Sequence, residues 1–167
     1  MNNIIKGKVW KYGSNINTDI ISPPAYMELS MKEAAKYAMS VIDPEFASQY
    51  KPGDIFVAED NLGPGSSRET APLTLKILGV KTIVAKSYAR IFYRNCINLG
   101  ILTLVCPETE KISKNDEIEI NYSDGIIKNI THKEEYSCEK IPQHIMGLID
   151  CDGLVGYLKT KIISGQK

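Results

Sequence analysis

The chain has 167 residues, and its 20 lysines and arginines balance 20 aspartates and glutamates. That length suits one domain with a core of its own, and the balanced charge leaves no broad basic field for non-specific nucleic-acid binding. No stretch approaches the ~20 apolar residues of a membrane span, and residues 1–6 lack the apolar core of a signal peptide, so a cytoplasmic chain with neither nucleic acid nor membrane as partner is expected.

In chain order, residues 4–10 are a candidate strand leading into a turn at Gly13-Ser14-Asn15. Residues 31–39 carry Ala34, Ala35, Ala38 and Met39 at helical spacing, which predicts a helix packed by its alanine side. After Pro52-Gly53, the apolar run of residues 54–58 reads as a strand, and Gly63 and Gly65 break the pattern. Leu73, Leu75, Ile77 and Leu78 predict a helix that ends at Gly79, with Thr70 as its N-cap and Pro72 in its first turn. Residues 81–85 form a buried strand, followed by a helix with Ile91 and Phe92 facing inward. Residues 102–105, 117–120 and 126–130 add strands, the last two joined by a hairpin turn at Asp124-Gly125. Cys96, Cys106, Cys138 and Cys151 are scattered, with no Cys-x-x-Cys and no histidine at ligand spacing, and are expected to be reduced and mostly buried.

The stretch from Asn61 to Pro72, with Gly63-Pro64-Gly65-Ser66-Ser67-Arg68, sets two glycines, two hydroxyls and a guanidinium at a strand-to-helix junction. The N–H groups and the positive end of a helix favour an anion there, and an arginine fork adds a bidentate partner for a carboxylate or phosphate. On spacing alone an ordinary turn before a helix accounts for the stretch equally well. No lysine follows Gly65, which disfavours a P-loop. The Gly-x-Ser-x-Gly of a nucleophile elbow is incomplete, and His132 and His144 lie far along the chain, which disfavours a hydrolase triad.

The loop resembles the Gly-Ser-Ser-Arg-Glu loop of the swivelling domain of the aconitase superfamily, found as a free-standing chain in the small subunits of 3-isopropylmalate dehydratase and its relatives. Gly7-Lys8-Val9-Trp10, Asn17-Thr18-Asp19-Ile20-Ile21, Lys51-Pro52-Gly53-Asp54-Ile55, residues 87–95 (Ser-Tyr-Ala-Arg-Ile-Phe-Tyr-Arg-Asn) and residues 153–158 are similar to family elements in the same order. The resemblance implies an α/β fold, the swivelling β/β/α domain, as a single domain over residues 1–167. It implies the small subunit of a [4Fe-4S]-dependent hydro-lyase that isomerises an alkyl-substituted malate by dehydration and rehydration, active only with a large subunit. The cluster would be carried by that large subunit, with no metal on this chain.

By the same resemblance Ser66 matches the family's catalytic serine, Ser67 and Arg68 its substrate-binding positions, and Asp19 an orienting aspartate. Read from the residues alone, Ser67 also suits a helix cap, Arg68 and Glu69 a surface pair, and Asp19 a turn brace. Arg90 and Arg94, four apart on one helical face, suit packing or a subunit interface. Tyr26, Met27, Glu28 and Leu29 occupy the stretch that in the family faces the substrate's variable side chain. Glu28 would repel a third carboxylate while Met27 and Leu29 offer apolar surface, so 3-isopropylmalate of leucine biosynthesis is expected first. Alternatives are 2,3-dimethylmalate, citramalate or homoaconitate as substrate, or a carboxylate-binding module of the same fold without catalysis. Three departures motivate that module: Pro64 stands for a cysteine, Thr70 for a histidine, and Pro23-Pro24-Ala25-Tyr26 replaces Pro-Ala-Arg-Tyr.

Overall fold

The computed structural model describes residues 3–66 and 69–165. Seven strands form one sheet in the order β4-β3-β2-β1-β5-β6-β7. Strands β1 (Ile4–Lys11), β2 (Ile55–Val57), β3 (Thr82–Ala85) and β4 (Leu102–Val105) run parallel, whereas β5 (Glu117–Asn121), β6 (Ile126–Asn129) and β7 (Glu134–Ser137) continue from β1 as an antiparallel meander. Parallel neighbours need crossovers. Here these are built from the short helices α1 (Thr18–Ile21), α2 (Met31–Ala34) and α3 (Phe46–Gln49), then α4 (Thr70–Ile77) and α5 (Arg90–Asn98).

Strand alternation divides the core into two clusters, one on each face of the parallel strands. Trp10, Phe56, Ile83 and Ala85 pack with Ile21, Phe46, Leu75 and Phe92 from the crossover helices. Val9, Ile55, Val57 and Val84 pack instead with Ile118, Ile120 and Ile127, so the meander covers the other face. Burial on both faces explains why β2 is an unbroken apolar run and β3 is apolar after Thr82, while β5, covered on one face, alternates. On the meander, buried Asp116 accepts from Ser113 N at 2.8 Å and Asn129 Nδ2 at 3.0 Å, with His132 Nε2 at 3.1 Å from its other oxygen. The buried carboxylate is thus paired on each side, as burial requires.

Strands β1 to β6 fall where the sequence places them within one or two residues, and Asp124-Gly125 turns the hairpin. Three expectations are corrected. The helix expected over residues 31–39 is one α-turn followed by a 3₁₀ turn, Ala35–Tyr37, although Ala34, Ala35, Ala38 and Met39 are all buried as the pattern required. Met39 takes φ +61° and donates to Ile21 O at 3.2 Å, closing the segment before it can extend. Ile91 is 48% exposed; Phe92, Cys96 and Ile97 are the inward residues of α5. Thr70 is the first helical residue of α4 rather than its cap, and Glu69 at the cap position makes no side-chain capping bond. Helices α6 (Gln143–Asp150) and α7 (Leu154–Ile163) close the chain. Among the described residues no helix is long and apolar enough to cross a membrane.

Two tests follow from the packing. Phe56 is fully buried, 5.0 Å from the Tyr12 ring and 5.8 Å from the Phe46 ring, so Phe56→Ala should lower unfolding free energy by about 3–5 kcal/mol in urea titrations. Burial raises the thiols of Cys96, Cys106 and Cys138, the last to about 11. These stay protonated well past neutral pH, and only a thiolate attacks. A brief maleimide pulse near neutral pH should leave Cys96 and Cys106 unmodified in the native chain and modify all four cysteines in denaturant, as read by intact mass.

Candidate functional site

The carboxyl ends of neighbouring parallel strands put the loops that follow them side by side, which is where sites form in such sheets. Here the loops after β1, β2 and β3 meet. Asn15 N donates to Asp60 O at 2.8 Å, and Gly63 N to Ile16 O at 2.8 Å. On the other flank Asn61 N donates to Ser87 Oγ at 2.8 Å, Leu62 N to Ser87 O at 3.0 Å, and Ala89 N to Leu62 O at 3.0 Å. The loop carrying Ser66 is thus stitched along both sides to segments that are remote in sequence.

Both glycines of that loop are required by their surroundings. Gly63 has φ +90°, and a Cβ there would stand 2.1 Å from Phe92 Cγ. Gly65 has φ +119°, and its Cβ would stand 2.7 Å from Thr18 Oγ1. Neither conformation suits an L side chain. Pro64 contributes through its carbonyl, which accepts from Thr18 N at 2.9 Å. Thr18 Oγ1 in turn accepts from Ser66 N at 3.0 Å.

Asn17, Thr18 and Asp19 begin α1, a helix the sequence reading does not include. Asn17 is its N-cap, with Oδ1 accepting from Ile20 N at 2.9 Å. The side chain that braces this turn is therefore that of Asn17, and Asp19 is left exposed at the cleft. An Asn followed by an apolar pair three and four residues on is a capping signal that could have been read.

Ser66 is exposed in a cleft of about 70 Å³ lined, among the described residues, by Thr18, Asp19, Ser22, Pro24, Met27, Thr70 and Ala71. Thr70 and Ala71 belong to the first turn of α4, whose leading N–H groups and dipole favour negative charge at this mouth. Pro72 lacks an N–H at a position where a helix has no use for one. Of the expected site residues, Ser66, Asp19 and Met27 are brought together, whereas Ser67 and Arg68 lie outside the described residues. Tyr26 ends a 3₁₀ turn, Pro24–Tyr26, and stacks on Tyr37 with ring centroids 3.9 Å apart and planes 5° apart. Met27 is 61% exposed beside it. Glu28 and Leu29 are exposed but do not line the cleft. Pro24, Thr70 and Ala71 are lining residues that the sequence reading did not single out as such.

His132 is engaged with Asp116 on the meander, and neither it nor His144 lines the cleft. Arg90 and Arg94 line a different groove, with Tyr93, Ile145 and Leu148.

Cys96 and Cys106 do not fit as iron–sulfur cluster ligands. Such clusters are held by grouped thiolates, whereas Cys96 and Cys106 are buried, with thiols raised by that burial. Among the described residues no group of three or more His, Cys, Asp or Glu is placed to hold a metal ion.

The aconitase C-terminal domain pattern matches residues 4–109. The 3-isopropylmalate dehydratase small subunit of Clostridium botulinum is 47% identical over 159 residues, covering 94% of this chain and 99% of the relative. The isopropylmalate/citramalate isomerase small subunit of Methanocaldococcus jannaschii is 45% identical over 168 residues, covering 99% and 100%. A crystal structure of 3-isopropylmalate dehydratase from Methanocaldococcus jannaschii superposes with a TM-score of 0.90 at 38% identity, covering 98% of each chain. The chain therefore belongs to the aconitase C-terminal domain family, within its branch of 3-isopropylmalate dehydratase small subunits.

Proposed function

We propose that this chain is the small subunit of a cytoplasmic two-subunit hydro-lyase that interconverts 2-isopropylmalate and 3-isopropylmalate by dehydration and rehydration. The observation that supports this best is Ser66, exposed in a cleft with Asp19 and with the opening turn of α4, its peptide tied to Thr18. Moving a hydroxyl between adjacent carbons requires removal of a weakly acidic proton alpha to a carboxylate, and its return. In this reading Ser66 Oγ takes and returns that proton.

A serine hydroxyl is a poor base unless its ionised form is stabilised by fixed dipoles and positive charge. The first turn of α4 and the guanidinium of Arg68 serve that end, and Arg68 together with Ser67 grips a substrate carboxylate. Asp19 orients the reacting group. A [4Fe-4S] cluster, held by the large subunit and not by residues of this chain, would supply the Lewis acidity for departure of the hydroxyl. Ser66 and the α4 mouth must then face that subunit. The wall of Pro24, Met27 and Ala71 suits an alkyl branch, and Glu28, next in the chain after Met27, disfavours a third carboxylate.

Reconstitution with a cluster-bearing large subunit and anaerobic assay on 3-isopropylmalate tests the reading. Wild-type chain should turn substrate over, and Ser66→Ala should lose about 10²-fold or more in kcat. A pair whose wild type is as inert as Ser66→Ala, yet still binds the dicarboxylate, would favour the non-catalytic module. In the same assay alkylmalates should outpace homoaconitate, and the reverse order would overturn the substrate assignment.

A further inference from the structure

We propose that Thr18 is the positioning residue for Ser66, the strut that fixes where its hydroxyl stands; this rests on the reading of Ser66 as the proton-transferring group. A loop of Gly63-Pro64-Gly65-Ser66 has two residues with wide conformational freedom, and the serine that follows them is exposed. Proton transfer nevertheless demands a fixed approach, and small misplacement is costly.

Thr18 supplies the fix through two bonds made by one residue. Its N–H donates to Pro64 O at 2.9 Å, and its Oγ1 accepts the Ser66 N–H at 3.0 Å, so residues 64–66 are clamped at both ends. The space beside Gly65 is filled by that hydroxyl, at 2.7 Å from where a Cβ would stand, which ties the need for glycine to the presence of threonine. Thr18 is itself held: it is only 6% exposed, its carbonyl accepts from Ser22 N at 2.8 Å, and the Asn17 cap fixes the turn beneath it. A β-branched side chain restricts χ1 further.

Two consequences are specific. The Ser66 amide is spent on Thr18 and does not serve as an anion donor, which leaves that work to α4 and Arg68. Thr18 also precedes Asp19 on the same short helix, so one rigid turn sets the serine and the orienting carboxylate relative to each other.

Thr18→Val removes the acceptor with little change in shape, while Thr18→Ser keeps it. In the reconstituted pair, Thr18→Val should lower kcat about 10²-fold with KM little changed, and Thr18→Ser should restore most of the loss. Amide exchange on the small-subunit chain gives a second readout that needs no activity. The Ser66 N–H should be protected in wild type and Thr18→Ser and should exchange faster in Thr18→Val, with the thermal midpoint of all three nearly the same. Wild-type kcat in Thr18→Val, or unchanged Ser66 protection, would overturn the proposal. An inert wild-type pair would instead count against the catalytic reading, and the exchange data would still decide whether Thr18 holds the loop.

Discussion

The parallel pairing of β1 with β2, Val9 opposite Ile55, Trp10 opposite Phe56 and Lys11 opposite Val57, is the constraint on which the site depends. Parallel strands release their following loops at the same edge. With β3 added on the far side of β2, the segments at residues 12–18, 58–66 and 86–89 have no choice but to meet. Apolar alternation fixes this register. A slip of one residue would turn Trp10 and Phe56 out of the helix-covered core, and Val9 and Ile55 out of the other. A cluster of rings, with Trp10 5.6 Å from Phe46 and Tyr12 5.0 Å from Phe56, sits directly beneath the point where the loops emerge.

Above that base the loops adopt conformations that would be costly elsewhere. Asn15 at φ +60° and Asn61 at φ +54° face each other from two loops, and Asn61 Nδ2 donates to Asn15 Oδ1 at 3.1 Å. Asparagine is among the few residues that accept left-handed backbone. With Gly63 and Gly65 just beyond Asn61, three positive-φ residues lie within five positions of Ser66, and Asn15 faces them from the neighbouring loop. Such a concentration is held only because neighbouring strands over-determine the loop ends, and it is characteristic of functional sites.

The chemistry that the cleft offers, among the described residues, is that of oxygen and charge rather than of thiolate. Cys96 and Cys106 are core residues, and burial holds them as thiols. The cleft instead offers hydroxyls, a carboxylate and a helix mouth. Under the proposed function this is a division of labour in which proton transfer and carboxylate binding fall to the small subunit and Lewis acidity to its partner.

The elements most legible in the sequence are those whose pattern reports burial directly: β2 and β3 as apolar runs, β5 by its alternating isoleucines, the Asp124-Gly125 hairpin, and the end of α4 at Gly79. Elements held by tertiary contact were not. β7 presents one inward residue, Tyr136, among charged ones, α6 and α7 have no buried residues among those described, and α1 is a single turn that exists because Asn17 caps it. The serine loop and the Asn17-Thr18-Asp19 element were each visible as motifs, yet local sequence carries nothing about a hydrogen bond joining Thr18 to Ser66, 48 positions further along the chain. Residue types and their order determined which groups are available and which segments bury themselves. Strand order and parallel direction, set by packing on both faces of the sheet, decided that those groups share a cleft.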